Sequence, residues 1–322
     1  LTLFEKEMAG LQILMRRSMR LFALGLVVAA GIAGSARAEH SAAVVVASKA
    51  DTEGALLGSM IALILERENI HVQPRLQLGP TQAVRSAILQ GMIDVYPEYT
   101  GNGALFHDMA ESPVWKSPEQ AYEAVKQLDA ERHGLVWLDR APANNTWAIA
   151  LRGDVARRDN LFTMDDFARA ARGTTAIRLA ASAEFVESPA ALPAFEKTYD
   201  FRLPREQIVV LPTGDTAKTM RAAAQGANGV NAAMVYGTDG AIAALDLVVM
   251  KDVKGAQIVY EPAPVIRAEI LQRHSGIAKA LALVFASLTM NRLQALNAEI
   301  VVEGRSPRDV AGRYLEQVGL RR

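Results

Sequence analysis

Two successive rounds of strand and helix, separated by a short Pro-Asn linker, constrain this chain more than any other feature of its sequence. In the first round Ala43–Ala47 reads as a buried strand and Asp51 or Thr52 caps a helix to about Asn69, with Leu56, Met60, Leu63 and Ile64 on one face. Val72–Leu78 is a second strand, and Thr81 caps a helix to about Gln90. A third strand ends in the stretch Asp94–Gly103, DVYPEYTGNG. Pro97 removes a backbone donor there, and Gly101 and Gly103 permit positive φ, so the strand has to stop and turn. This β-α-β-α-β order predicts a parallel sheet with helices on both faces. Aromatic rings at the carboxyl end of such a strand sit where open α/β sheets bind their ligands.

Ser117-Pro118-Glu119-Gln120 supplies the cap, the first-turn proline and the capping-box glutamine of another helix, which Gly134 closes. Leu135–Leu138 and Thr146–Leu151 are strand-like and flank Ala141-Pro142-Ala143-Asn144-Asn145, read as a crossing into a second lobe. The pattern then restarts. Thr163 caps a helix to Gly173, Ile177–Ala181 is a strand, Pro189–Tyr199 is helical, Ile208–Leu211 is a strand and Asp215–Gln225 is helical. Ala232–Tyr236 is a strand ending in Gly237-Thr238-Asp239-Gly240. Leu247–Met250 and Gln257–Tyr260 read as strands leading back, with helices near Ser275–Thr289, Asn291–Val302 and Ser306–Val318. The expected organisation is lobe I from 39–143 and 250–322, with lobe II, 144–249, inserted, and hinges near Ala141–Asn145 and Met250–Gly255. The 322 residues, half of them hydrophobic, suffice for two such cores. The result is an α/β fold, a two-lobed clamshell with its ligand cleft between the lobes.

Residues 1–38 read differently. Arg16, Arg17 and Arg20 form a basic cluster, Leu21–Ala33 is apolar but too short to span a bilayer, and Ala36-Arg37-Ala38 resembles a small-x-small cleavage site. A secretory signal peptide cleaved before Glu39 is expected, with Met15 or Met19 as the true start. Lysine plus arginine equals aspartate plus glutamate at 35 each. Losing five basic and two acidic residues with the first 38 leaves 30 and 33, a net charge of −3. That balance argues against nucleic acid as a partner. The sequence has no cysteine, which excludes a disulfide framework, thiol catalysis and a lipid-modified cysteine. A free periplasmic protein is the expectation.

The sequence contains no G-x-S-x-G elbow, no H-E-x-x-H, no Gly-Lys-Ser/Thr phosphate loop and no G-x-G-x-x-G fingerprint. His40, His71, His107, His133 and His274 lack metal-ligand spacing. No metal or cofactor is expected, and no enzyme. The tyrosines are more informative. Tyr122, Tyr199 and Tyr314 fall on expected helices, whereas Tyr96, Tyr99, Tyr236 and Tyr260 lie at expected strand ends beside Pro or Gly, and Trp147 stands just after the linker. Rings converging on one cleft attract a cation through their quadrupoles, each contact contributing about 0.5–2 kcal/mol. Ordinary interior aromatics produce the same spacing, so spacing alone leaves both readings open.

Five segments in order decide between them: SKADTEGALLG (Ser48–Gly58), GMIDVYPEYTGNG (Gly91–Gly103), NNTWAIA (Asn144–Ala150), MVYGTDG (Met234–Gly240) and VYEPAPVI (Val259–Ile266). Together they resemble the substrate-binding proteins of osmoprotectant ABC importers, the glycine betaine/choline-binding family, over essentially the whole chain after residue 38. The resemblance implies a type II periplasmic binding protein that holds a trimethylammonium group in an aromatic box and works, as a monomer, with an ABC permease in the inner membrane. By position it places Tyr99 and Tyr260 on the wall of the first lobe and Trp147 and Tyr236 on that of the second. Lys49, Asn102 and Asn145 become polar contacts, with Tyr96, Thr100 and Ser188 as secondary candidates. Ser188 is also a departure. In Phe185-Val186-Glu187-Ser188-Pro189 it stands where relatives carry an arginine that clamps the ligand carboxylate. The ammonium half of the site is therefore expected to be intact and the carboxylate half not. A different small solute on the same fold, or a secreted α/β enzyme using the cleft, are the competing readings.

Overall fold

The computed structural model describes residues 43–173, 176–211 and 216–320. The expected signal peptide lies outside the described residues, as does Asp215. Ten strands are present among the described residues: β1 (Val44–Lys49), β2 (Val72–Gly79), β3 (Val95–Tyr99), β4 (Leu135–Trp137), β5 (Trp147–Arg152), β6 (Leu179–Ser182), β7 (Ile208–Leu211), β8 (Ala232–Tyr236), β9 (Leu247–Val249) and β10 (Pro262–Arg267). They form two five-stranded sheets, β2-β1-β3-β10-β4 and β7-β6-β8-β5-β9.

Both sheets follow one plan. In the first, β1 runs parallel to β2 and β3, and β10 lies antiparallel to β3 and β4. In the second, β6 runs parallel to β7 and β8, and β5 lies antiparallel to β8 and β9. Each sheet is thus mixed where the alternation predicted a parallel one, because one antiparallel strand enters each from across the crossing. Both faces of the first sheet's central strands are covered, so β1, β3 and β10 are largely apolar, whereas the edge strand β2 is mostly exposed and carries Gln73, Arg75 and Gln77. Val44, Val46 and Val95 pack under the Thr52–Arg67 helix and the C-terminal helices, while Ala47, Tyr96 and Val265 pack on the opposite side.

Helix ends follow the sequence signals. Asp51 accepts from Gly54 N at 2.6 Å to start the Thr52–Arg67 helix, and Ser117 with Pro118 starts the Pro118–His133 helix. Gly134, at φ 64°, closes the latter. Thr163 and Asp166 form a reciprocal capping box on the Met164–Arg172 helix.

One further expectation needs correction. No strand forms over 257–260; the strand that returns to the first sheet is β10. Its Pro262 and Pro264 argue against a central strand in sequence, yet their carbonyls turn away from β3 to accept from Ala141 N (2.8 Å) and Leu138 N (2.9 Å). The ladder to β3 is left to Ala263 and Val265, and Pro264 faces Pro97 where neither needs a donor. Residues 250–257 pack on the second sheet's core. Met250 and Ala256 belong to the second core, Asp252 accepts from Tyr199, and Gln257 Nε2 donates to Ala191 O. First-lobe contacts begin at Ile258, which packs against the core that holds Trp115 and Tyr96, and continue at Val259, whose N–H donates to Trp115 O at 2.8 Å.

The Met290–Val301 helix bridges the sheets. Its Leu293 and Leu296 enter the first core, while Gln294 and Asn297 donate to the carbonyls of Gly237 (2.8 Å) and Thr238 (3.0 Å), in the turn after β8. Gly240 lies so close that a Cβ there would stand 2.2 Å from Ala298 N and 2.4 Å from the Asn297 carbonyl carbon. Gly240→Ala is expected to destabilise the protein by about 1–3 kcal/mol through this overlap with backbone. Gly312→Ala, in a helix and 4.0 Å from its nearest neighbour, Leu63 Cδ1, is expected to stabilise it by up to about 1 kcal/mol. Urea unfolding of both variants checks the contrast; a neutral Gly240→Ala contradicts the close approach.

Candidate ligand-binding site

Every residue of β3 is buried, including Glu98 at 0 % exposure. A carboxylate in that position requires partners, since burying a lone charge is costly. Lys49, at the end of β1, supplies a direct ion pair. Asn102 Nδ2 and the Tyr99 N–H each donate to Glu98 Oε1 at 2.7 Å, and the Tyr96 hydroxyl donates to Oε2 at 3.3 Å. The Lys49 ammonium stands 4.6 Å from the centroid of the Tyr99 ring. Lys49 and Asn102 therefore spend their donors on Glu98, a residue the sequence reading passed over. Its signal was a glutamate inside a wholly apolar strand.

A second buried carboxylate, Glu53, lies in the first turn of the Thr52–Arg67 helix, on the face shared by Leu57 and Met60. Tyr99 Oη donates to its Oε1 at 2.7 Å and Asn145 Nδ2 at 3.2 Å, while Asn297 Nδ2 donates to Oε2 at 2.7 Å. No cation pairs with it among the described residues. Burial pushes the Glu53 carboxyl up to about 7, helped by the Asp51 charge and opposed by Thr238, Tyr99 and Asn297. Tyr99 is raised well above the usual phenol range, by burial first and then by Glu53 and Asp51.

The other rings stand beside this network. Asn145 N–H donates to Tyr260 O at 2.9 Å, and Tyr260 N–H donates to Asn144 Oδ1 at 2.8 Å. A Cβ on Gly101 would lie 2.7 Å from Val259 O and 2.9 Å from Tyr260 Cδ1, so only glycine lets the turn after Tyr99 reach that ring. Tyr260 in turn feels Tyr236, Glu98 and Glu184; burial and these charges raise its phenol to about 12. Tyr236 is raised by burial, opposed by Trp147 and aided by Glu184, Asp239 and Asp51. Trp147 and Tyr236 face one another across β5 and β8, and Phe185 packs edge-on against Trp147 at 6.0 Å. The Trp147 indole N–H is buried without completing a hydrogen bond.

The structure thus gathers Lys49, Tyr99, Asn102, Asn145, Trp147, Tyr236 and Tyr260 where the strand ends of both sheets meet. Tyr260 occupies a loop rather than the expected strand end. Tyr96 is turned into the first lobe's core. Thr100 ties its turn to the return segment, donating to Val259 O and accepting from Glu261 N, both at 3.1 Å. Ser188 is half-buried at the end of the Ala183–Glu187 helix that carries Phe185. Glu53, Phe185, Glu184 and Asn297 are additions from the structure. Nothing in a single sequence marks Glu184 or Asn297, which lie far along the chain from the rings they approach.

One cluster brings together groups able to bind a metal: His107, Asp129 and His133, whose ligating atoms lie within 4.8 Å of one another. The Asp129 carboxylate is already committed. It accepts from Arg85 at 2.9 and 2.5 Å, from Trp137 Nε1 at 2.7 Å, and lies 3.1 Å from His107 Nε2. An adjacent guanidinium and a saturated carboxylate make this a structural network rather than a metal centre.

Glu53 has a consequence for stability. Between its ordinary value of 4.5 and about 7 the folded protein holds a proton that the unfolded chain has lost, so this group's contribution falls as pH rises through that interval. The loss reaches about 3 kcal/mol above neutrality. Glu53→Gln, which cannot ionise, is expected to gain stability relative to wild type from about pH 4.5 to about pH 7 and to hold that gain above it. Urea unfolding across this range measures the difference; a gap that does not vary with pH means another group titrates.

The chain is similar to known proteins over nearly the whole of its described length. The model of the family described as "Substrate binding domain of ABC-type glycine betaine transport system" matches residues 42–317. The glycine betaine-binding protein YehZ of Escherichia coli (strain K12) is 48% identical over 301 residues, covering 94% of this chain and 98% of that protein. A glycine-betaine-binding protein of Pseudomonas aeruginosa is 30% identical over 279 residues, covering 84% and 86% of the two chains. The solved structure of ligand-free E. coli YehZ superposes with a TM-score of 0.79 at 50% identity, covering 87% of this chain and all of that one. The two sheets are the lobes of a type II periplasmic-binding-protein clamshell, and the chain belongs to the family of substrate-binding domains of ABC-type glycine betaine transport systems.

Proposed function

We propose that this chain binds a quaternary ammonium osmoprotectant, glycine betaine or a choline-like cation, among Tyr99, Trp147, Tyr236 and Tyr260, and delivers it to an ABC permease in the inner membrane. The observation that carries this reading is the convergence of these rings from both sheets beside Glu53, Glu98 and Glu184, with Lys49, itself paired, as the neighbouring cation. Rings and carboxylates both favour a cation whose methyl groups need no hydrogen bonds. The lobes are residues 43–143 with 258–320, and 144–257. They close about the crossings at Asn144–Thr146 and Ile258–Tyr260.

The protein acts as a carrier and not as an enzyme, in keeping with the substrate-binding proteins of its family. It works as a monomer in the periplasm after cleavage before Glu39. In support, no helix among the described residues is long and apolar enough to cross a membrane.

Trp147→Ala and Tyr260→Ala are each expected to weaken binding of choline and glycine betaine by about 2- to 30-fold, the equivalent of 0.5–2 kcal/mol per cation–ring contact, with Phe substitutions losing less. Calorimetry with the purified protein measures this; full affinity in both alanine variants overturns the cage. Ser188→Arg tests the carboxylate half. A charge-assisted hydrogen bond contributes about 1.5–3 kcal/mol, so betaine binding should strengthen by roughly tenfold or more while choline, without a carboxylate, stays level. Glu184 lies one turn before position 188, its carbonyl accepting from Ser188 N–H at 2.9 Å, and competes for the new guanidinium. The gain should therefore grow in a Glu184→Gln background. Equal gains for both ligands would show that position 188 does not face the carboxylate.

A further inference from the structure

We infer that Glu53 is a proton-linked positioning residue of this site: it holds the Tyr99 ring, the Asn145 crossing and, through Asn297, the turn after β8, and it releases its proton to solvent when a cation binds. The inference rests on the cation-binding reading above and adds a dependence on pH.

Three observations support it. First, Glu53 joins both lobes. It accepts from Tyr99 on β3 and from Asn145 in the crossing, and the same Asn297 Nδ2 that reaches Glu53 also donates to Thr238 O in the second lobe. Second, the two amides that donate to Glu53 keep unpartnered, buried oxygens: Asn145 Oδ1 and Asn297 Oδ1 have no donor among the described residues. Rotation of the Asn145 amide brings its oxygen onto Glu53, where only the protonated acid can serve it, whereas Thr238 O holds Asn297 as a donor. The cluster can therefore bond Glu53 in both states. Third, Tyr99 connects the carboxyl to the cage, with its hydroxyl 2.7 Å from Glu53 and its ring on the candidate wall. A positive charge at that ring favours the carboxylate.

The charged and titratable neighbours are few. Asp51, on the same helix start, opposes ionisation. Lys49 on β1 is paired with Glu98 of β3, so its charge is offset. Asp239, in the turn after β8, accepts from Tyr236 N–H at 2.7 Å. The crossing contributes Asn144, Asn145 and Thr146, none of which titrates, and the Met290–Val301 helix points its Arg292 at Tyr314 instead. Burial without a paired cation places the titration of Glu53 near neutrality.

By reciprocity, a bound cation that lowers the proton affinity of Glu53 tenfold gains tenfold in its own affinity. Choline is the probe, titrated calorimetrically into the whole protein at about pH 5.5, 7 and 8.5, in two buffers of different ionisation enthalpy. Expected are tightening of about three- to tenfold from the lowest to the highest pH and release of part of a proton near pH 7. Glu53→Gln should bind with an affinity independent of pH and release none, whereas Asp51→Asn should keep the release. A carboxylic-acid infrared band, present in ligand-free wild type near pH 6 and missing from Glu53→Gln, reports the proton without any ligand. Choline binding with no proton release and no pH dependence overturns the inference while leaving the functional reading intact. Release that persists in Glu53→Gln, or no difference in the infrared band, also overturns it. Failure of choline and glycine betaine to bind at any pH overturns the functional reading and takes the coupling with it.

Discussion

A buried ion pair joins the ends of two strands, and the site is arranged around it. β1 and β3 share a single register pair, Val46 with Val95, because Pro97 has no N–H to extend the ladder. Beyond that point Lys49 and Glu98 hold the strand ends together with side chains instead of backbone. Such a pair adds little net stability over a well-packed apolar one, but removing one partner typically costs about 3–5 kcal/mol because the other charge stays buried. Its value here is positional. Glu98 also accepts from Asn102 and from the Tyr99 N–H, so one carboxylate fixes the turn that carries the Tyr99 ring.

The crossings between the lobes are similarly tied. Asn144 Oδ1 accepts from Tyr260 N–H, Asn145 N–H donates to Tyr260 O, and Thr146 Oγ1 donates to Ile258 O at 2.7 Å. The two segments form a paired ribbon rather than two free loops. Rotation of one lobe about that ribbon moves distant residues most and adjacent ones least. Tyr260 is in the ribbon, Trp147 follows it directly, and Tyr99 is one glutamate away. In the closure proposed above, rings at those places change their spacing least.

Much of the fold was legible because it rests on local rules: caps at Asp51, Ser117 and Thr163, a left-handed stop at Gly134, and apolar runs bounded by turns. β10 was not, because Pro262 and Pro264 obey the rule against proline in central strands everywhere except on the sides where their ladder needs no donor. The packing of residues 250–257 was also hidden. The apolar content of 250–260 is the same whether it packs on one lobe or the other, and only Asp252 and Gln257, through partners far along the chain, fix it to the second. Among the site residues, the rings could be found by type and neighbourhood. Tyr96 shows the limit of that approach: it shares the neighbourhood of Tyr99, but side chains alternate along a strand, and one residue's shift sends the ring into the core. Glu53 and Glu98 left a legible mark, an acidic residue on an apolar face, which identifies a buried charge without naming its partner.

Charge rather than shape separates the ligands such a site accepts. Burial raises the Tyr260 phenol first, then Tyr236, Glu98 and Glu184; burial likewise raises that of Tyr236, opposed by Trp147 and aided by Glu184, Asp239 and Asp51, so the surroundings of the rings disfavour added negative charge. The neighbouring Lys49 is offset by Glu98 and already lies against Tyr99. A ligand that is only a cation gains from both the rings and the nearby carboxylates. In the binding mode proposed above, a zwitterion gains at its ammonium end and turns its carboxylate toward Ser188, where Glu184 adds a repelling charge. Strengthening the cage rings cannot remove that asymmetry, because both ligands present the same trimethylammonium group to them. On that proposal, discrimination between the two resides on the Ala183–Ser188 segment, away from the rings.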